Sequence, residues 1–179
     1  MEKNAKKQKP NHMMILRNLE KWAAQEGYVE ILKWLNANGY SWTTSTSAGV
    51  ARGGHIELLK WLIANGCAWD EGVCESAAVG GHLDVLKWAK DNGCKWSYCA
   101  FERAARKGHF DVLKWLHENG CPYNRFTICD YAAKGGHLEI LIWLKENGCP
   151  LHEENYVLAA KGGHSHVLKW LEENGCPKE

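Results

Sequence analysis

The sequence repeats itself with a period of about 27 residues, which lies within the range of solenoid repeats. The phrase Leu-Lys-Trp-Leu, or a near copy of it, occurs six times, and its tryptophans are evenly spaced except for one interval that is longer by a single residue. They are Trp34, Trp61, Trp88, Trp115, Trp143 and Trp170. A central glycine precedes each of these tryptophans, and an Asn-Gly pair follows it. A short unit that recurs in this way predicts a stack of similar units, because one unit alone cannot bury its apolar face.

The pattern within each unit predicts two antiparallel helices. Residues 73–79 are mostly apolar or small, a Gly-Gly pair follows them, and the apolar residues from Leu83 to Ala89 then recur at helical spacing. Asn-Gly can end a helix, because glycine adopts the left-handed conformation there without a Cβ clash. A hairpin turn is the alternative, and the helical pattern before each Asn-Gly favours the helix end.

The units define one domain. We expect it to span residues 12–176 as repeats at 12–40, 41–67, 68–94, 95–121, 122–149 and 150–176. Residues 1–11 contain four Lys and one Glu, and we expect them to form a disordered basic tail before the array. Residues 177–179 would form a short tail after it.

One motif carries a family resemblance. It is Ala-Ala-x-x-Gly-His-x-(Glu/Asp)-(Val/Ile)-Leu-Lys-Trp-(Leu/Ala)-x-x-Asn-Gly-Cys, as at residues 104–121. This motif resembles the two-helix part of the ankyrin repeat, most closely the short variety of giant DNA viruses and protists. The usual ankyrin unit is longer, at about 33 residues, so the resemblance implies an all-α solenoid whose β-hairpin fingers are shortened or absent. It also implies a non-catalytic protein-protein interaction scaffold.

Two positions that differ between repeats mark a candidate binding surface. They lie five and two residues before the central glycine, and the resemblance places them on the concave face formed by the first helices. We define eight of their aromatic, basic and apolar residues as the concave strip: Trp22, Arg52, Arg103, Arg106, Tyr131, Lys134, Leu158 and Lys161. Such residue types are common in binding hot spots, and the basic ones favour an acidic partner protein. The alternative is a solvated face that varies without a function.

A second aromatic column offers an alternative function. It lies three residues after the Asn-Gly glycine and consists of Trp42, Trp69, Trp96, Tyr123 and Leu151. We interpret it as an apolar plug under the loop, because tyrosine and leucine replace tryptophan in it. If it stacked bases and acted with the basic tail, the protein would bind nucleic acid. The balance of 22 Lys+Arg against 21 Asp+Glu argues against that hypothesis.

The eight cysteines and nine histidines suggest a metal or redox site. Most of them, however, occupy one position per repeat: Cys67, Cys94, Cys121, Cys149 and Cys176 after Asn-Gly, and His55, His82, His109, His137 and His164 after the central glycine. Packed helices are about 8–10 Å apart, so consecutive cysteines are too distant for a disulfide or a shared zinc ion. We therefore expect no metal, cofactor or catalytic residue, and histidines that bond loop carbonyls of a neighbouring repeat. The alternative, a redox or metal enzyme, would need either stoichiometric bound metal or a thiol of lowered pKa.

The location follows from what the sequence lacks. Its apolar stretches are too short to span a membrane, and its first residues do not have the order of a secretory signal. We expect a cytoplasmic monomer, with the nucleus, or the host cell if the protein is viral, as alternatives.

Overall fold

The structure is a computed structural model that describes residues 10–177, with side chains from residue 13 onward. Most of the expected basic tail lies outside these residues. Its last two residues belong to the first helix, which begins at Pro10 rather than at the expected boundary of residue 12.

Twelve helices follow one another in the described part of the chain, which contains no strand. The first helices of the repeats are α1 (Pro10–Glu26), α3 (Thr44–Gly53), α5 (Gly72–Gly80), α7 (Tyr98–Lys107), α9 (Ile128–Gly135) and α11 (Glu153–Lys161). The second helices are α2 (Val29–Ala37), α4 (Ile56–Ala64), α6 (Leu83–Asp91), α8 (Phe110–Glu118), α10 (Leu138–Glu146) and α12 (Ser165–Glu173). The prediction of an all-α ankyrin-type solenoid is confirmed.

Asn-Gly ends every second helix. In the second repeat, the side-chain Nδ2 of Asn65 donates to the carbonyl of Trp61 at 2.8 Å, and Gly66 has a φ of +87°. The N–H of Cys67 then donates to the carbonyl of Leu62 at 2.9 Å, which satisfies an otherwise unpaired helix carbonyl. The asparagine bond measures 2.8–2.9 Å in all six repeats. The interpretation of Asn-Gly as a helix end is confirmed.

The two layers of helices differ in spacing. Successive first helices contact one another along the whole array, whereas second helices mainly contact the first helix of their own repeat. Fully buried alanine pairs such as Ala104 and Ala105 let the first helices approach closely, while the second helices contribute larger residues such as Leu113. Because the first-helix side is packed more tightly, we expect the array to curve toward it, so that this side is concave.

At four junctions between repeats, a histidine bonds a carbonyl of the preceding repeat. His109 Nε2 bonds the carbonyl of Val79 at 2.9 Å, and its ring fills the space beside Gly81, where a Cβ atom would lie 2.5 Å from Nδ1. Gly81 also has a φ of +79°, which side chains disfavour. Equivalent bonds of 2.9–3.1 Å run from His55 to Gln25, from His137 to Arg106 and from His164 to Lys134. The expected bond to a neighbouring repeat is confirmed in these four repeats, but its acceptor is a carbonyl in the last turn of a first helix rather than in a loop.

The second aromatic column packs on the core. Trp42 and Trp96 are half-buried, and their rings lie 5.4 and 5.8 Å from those of Trp61 and Trp115 on the second helix of the same repeat. The indole N–H of Trp42 donates to the carbonyl of Leu32 at 3.3 Å. These contacts support the interpretation of the column as an apolar plug. None of the described helices is both long and apolar enough to cross a membrane.

Candidate functional site

A cavity of about 370 Å³ opens on the first-helix face. Residues of four successive repeats line it: Arg52, Val79, Cys99, Glu102, Arg103, Arg106, Lys107 and Tyr131. Helix α7 supplies five of them, while α3, α5 and α9 supply one each. The cavity thus brings together four members of the concave strip, namely Arg52, Arg103, Arg106 and Tyr131.

The other four members of the concave strip lie outside this cavity. Trp22 is 49% exposed near the N-terminal end, with its ring 4.8 Å from that of Tyr28. Lys134 and Lys161 are exposed and Leu158 is half-buried, on α9 and α11. Four members of the predicted strip therefore line one cavity in the middle of the array, and the other four lie separately on either side of it.

The cavity is rich in positive charge. Arg103 forms an ion pair with Glu75, whose Oε2 lies 3.5 Å from the arginine Nε. Between residues 13 and 177, no ion pair joins Arg52, Arg106 or Lys107 to an acidic group. All three lie in the last turn of a first helix, where the helix dipole favours cations. Three cations without an acidic partner therefore border one cavity.

The sequence analysis missed an acidic column beside the strip. Six residues before the central glycine stand Glu75, Glu102 and Asp130 in the third to fifth repeats. Glu75 accepts a hydrogen bond from Ser97 Oγ at 2.7 Å, and Asp130 accepts one from Asn155 Nδ2 at 2.6 Å. Each of these two acids is thus engaged within the array. The signal was present, since the three acidic residues keep the spacing of the repeat.

Tyr131 connects this acidic column with the cavity. Burial raises the pKa of its phenol, and so does a hydrogen bond to the Glu102 carboxylate. The phenol donates this hydrogen bond to Glu102, and both side chains line the cavity. The arrangement fixes an aromatic surface next to the arginine side chains.

The cysteines that follow Asn-Gly are buried. Several of their thiols contact the loop that precedes the first helix of the same repeat. Cys121 Sγ lies 3.7 Å from the carbonyl of Ser97, and Cys176 Sγ lies 3.2 Å from that of His152. Among the residues described, no group of three or more His, Cys, Asp or Glu side chains could hold a metal ion. These contacts give the cysteine column a packing role.

Two cysteine columns nevertheless meet inside single repeats. The sulfur atoms of Cys74 and Cys94 are in bonding contact, and their Cα atoms are 6.8 Å apart. In the fifth repeat, the thiol of Cys129 hydrogen-bonds to Cys149. The sequence analysis compared only cysteines at the same position of successive repeats, so it missed pairs that are 20 residues apart within one repeat.

Comparison with protein families identifies a family that resembles part of the chain. A family model described as "Ankyrin repeats (many copies)" matches residues 74–117 and 101–144. The two overlapping matches include α7 and α9, which contribute six of the eight cavity residues. No curated protein matches the chain.

Proposed function

We propose that this chain, which belongs to the ankyrin-repeat family, is a non-catalytic scaffold that binds an acidic segment of a partner protein on its concave face. Ankyrin repeats generally mediate protein-protein interaction. The observation that carries the finer proposal is the cavity across repeats two to five, where Arg52, Arg106 and Lys107 have no acidic partner within residues 13–177.

Charge and shape both support an acidic segment. Arginine guanidinium groups bind carboxylates through paired, charge-assisted hydrogen bonds, and these bonds are stronger where water is partly excluded. Val79 and the ring of Tyr131 add apolar surface to the same cavity. A volume of about 370 Å³ suits one or two side chains of a partner. An acidic residue next to an apolar one would therefore satisfy both parts of the lining.

The curvature of the array supports the same surface. Residues on the concave face project toward a common region, whereas those on the second helices diverge. The second helices also carry the same charge pattern in several repeats, such as the Lys60–Glu57 pair at 2.7 Å. A partner could bind such a regular surface in several registers, so it offers little specificity.

Selection of peptides against the whole chain tests the proposal. Random peptides displayed on phage would be selected on the wild-type chain, and the affinities of the enriched peptides then measured on variants. Because the cavity cations attract acids, we expect Asp and Glu to be enriched beside an apolar residue. The substitutions Arg52→Ala and Arg106→Ala together should weaken binding at least about tenfold, which is the effect of losing about 1.4 kcal/mol.

A matched variant on the opposite face serves as the control. Lys60→Ala with Lys87→Ala also removes two positive charges, but from the second helices. We expect it to retain the wild-type affinity for the selected peptides. Equal weakening by both double variants would show that net charge, rather than the cavity, holds the peptides. Enriched peptides without acidic residues would also contradict the proposal.

A further inference from the structure

The fifth repeat contains a pair of adjacent thiols. Cys129 lies on α9, Cys149 follows α10, and the two thiols are joined by a hydrogen bond. Cys74 and Cys94 occupy the same two positions of the third repeat, with Cα atoms 6.8 Å apart, inside the range that disulfides span. In the second, fourth and sixth repeats, the equivalent of Cys74 and Cys129 is Ser47, Phe101 and Tyr156 respectively.

The fifth repeat differs from the third through one arginine. Its unit is one residue longer than that of the third repeat, and the lengthened loop before α9 carries Arg125. The guanidinium Nη2 donates to the carbonyls of Asn147 and Gly148 at 2.8 and 3.2 Å, directly before Cys149. Arg125 also hydrogen-bonds to the Cys149 sulfur. The extra length thus accompanies a cation placed on one of the two thiols.

Three donors surround the Cys149 sulfur. They are the thiol of Cys129, the guanidinium of Arg125 and the hydroxyl of Tyr123. Together they favour the thiolate and, against the opposing effect of burial, lower the pKa of Cys149 to about 7, with the Cys129 hydrogen bond as the largest cause. The same hydrogen bond, followed by burial, raises the pKa of Cys129. The pair is therefore asymmetric, and the Cys149 thiol ionises more readily than the Cys129 thiol.

A cavity of about 430 Å³ lies beside this pair. Two of the donors to Cys149, Tyr123 and Arg125, line it together with Asn147. Cys149 itself is 2% exposed, but the adjoining Gly148 and Pro150 are exposed. A molecule the size of hydrogen peroxide can thus reach Tyr123 and Arg125, and we expect it to reach the sulfur when the exposed residues beside Cys149 move.

We propose that Cys149 is a peroxide-reactive thiol and that Cys129 converts its oxidised form into a disulfide. The Cys149 thiolate attacks one oxygen of hydrogen peroxide, the O–O bond breaks, and a sulfenic acid forms. The other oxygen leaves as hydroxide and takes up a proton to become water. Cys129 then loses its proton and attacks the Cys149 sulfur, so that the S–O bond breaks and a second water leaves. Two thiols have supplied two electrons and two protons, and one peroxide has become two waters.

Cys121 provides an internal control. It holds the same position of the preceding repeat and directly lines the same cavity, so an oxidant reaches it at least as easily. It has Phe101 rather than a cysteine at the partner position, and burial raises its pKa to about 11. If access alone governed oxidation, Cys121 would react first. If the thiol pair and Arg125 govern oxidation, Cys149 will react first.

The test uses the fully reduced whole chain at pH 7 with hydrogen peroxide as the probe. Mass spectrometry would follow the disulfides, and dimedone would label sulfenic acids. We expect a Cys129–Cys149 disulfide in the wild-type chain and a dimedone adduct on Cys149 in the Cys129→Ser variant. Cys149 should react at least about tenfold faster than Cys121, because far more of it is thiolate at this pH. Labelling of Cys121 as fast as of Cys149 would overturn the proposal.

A second variant separates chemistry from loosening of the structure. Arg125→Ala should lower the ratio of the Cys149 rate to the Cys121 rate at least about threefold, because it removes the cation from one thiol only. Any loosening of the loops would expose both cysteines to the cavity and raise both rates. An unchanged ratio, or oxidation that yields only the Cys74–Cys94 disulfide, would contradict the assignment.

Discussion

The junctions between repeats and the concave cavity use the same residues in different ways. At the junctions, the carbonyls of Val79 and Arg106 accept hydrogen bonds from His109 and His137 of the next repeat. In the cavity, the side chains of Val79 and Arg106 form part of the lining. The backbone of this position therefore builds the array, and its side chain builds the candidate site.

This division explains the pattern of repetition. A histidine that binds a carbonyl does not depend on which side chain the carbonyl's residue carries. Gln25, Val79, Arg106 and Lys134 all serve as acceptors, at 2.9–3.1 Å. The histidine and the glycine beneath its ring must stay the same, because one makes the bond and the other leaves space for it. The residue type is thus constant among these repeats where the side chain makes the contact. It varies where only the backbone carbonyl makes the contact.

The largest effect should come from filling the junction. Gly81→Ala places a Cβ 2.5 Å from the His109 ring and forces a residue with a side chain to adopt a φ of +79°. Strain and overpacking together should reduce the free energy of unfolding by about 2–4 kcal/mol, as measured by urea denaturation. Gly93→Ala is the control, because its φ is +87° but nothing lies within 4 Å of its Cβ. We expect it to cost about 1 kcal/mol, and equal losses would show that the ring contact contributes nothing.

A smaller effect should follow from protonation of the junction. Burial lowers the pKa of His137 below 6.5, with His164 and His109 as further lowering causes and the bond to the Arg106 carbonyl opposing them. The unfolded chain therefore binds this proton at a higher pH than the folded chain does. The stability that His137 contributes should be complete above about pH 6.5 and fall as the pH drops through the pKa of the folded state.

Urea midpoints measured between pH 5 and 8 would check this dependence. The His137→Gln variant removes the titrating group and keeps a donor of similar size. Its stability should decline less steeply than that of the wild type below about pH 6.5. Identical pH profiles for the two chains would show that protonation of His137 does not contribute to the loss of stability at low pH.

The smallest effect should come from the cavity side of the comparison. Arg106→Ala leaves the backbone carbonyl that His137 uses, and the arginine side chain is exposed. We expect the free energy of unfolding to change by no more than about 0.5 kcal/mol, in the same urea experiment. A loss above about 1 kcal/mol would mean that the arginine side chain supports the array, and the separation of backbone and side-chain roles would fail.

Much of the fold was accessible from the sequence because the repeat multiplies each weak signal. One Asn-Gly pair is compatible with a hairpin or a helix end, whereas six pairs that each follow a helical pattern favour the helix end. The histidine contacts were also predicted in kind, since an imidazole at the start of a second helix lies near the neighbouring loop. Their acceptor was not predicted, because which carbonyl comes within reach depends on the spacing of the first helices.

The candidate site was less accessible, because it depends on relations between columns. Columns five and two residues before the glycine were identified separately, and their meeting at Arg52, Arg103, Arg106 and Tyr131 depends on how α3 to α9 pack. Lys107, adjacent to Arg106, belongs to neither column and was missed.

The cysteine pairs were missed for the same reason. Distances along a column follow directly from the repeat, whereas the distance from Cys129 to Cys149 depends on how a helix pair closes. The contribution of Arg125 did have a sequence signal, namely the single interval between repeats that is one residue longer than the others.

The histidine contacts also give the array a direction. In all four of these bonds, the carbonyl is held by the repeat that follows it: His164 of the sixth repeat, for example, holds the Lys134 carbonyl of the fifth. Removing the first repeat would delete its own part of the concave face and leave the histidine bonds to Val79, Arg106 and Lys134 in place. Removing the sixth repeat would delete its part of the concave face. It would also remove His164, which holds the Lys134 carbonyl of the fifth repeat. Deletions from the two ends should therefore have unequal effects. The C-terminal deletion should disturb the concave-face residues of one more repeat than the N-terminal deletion does.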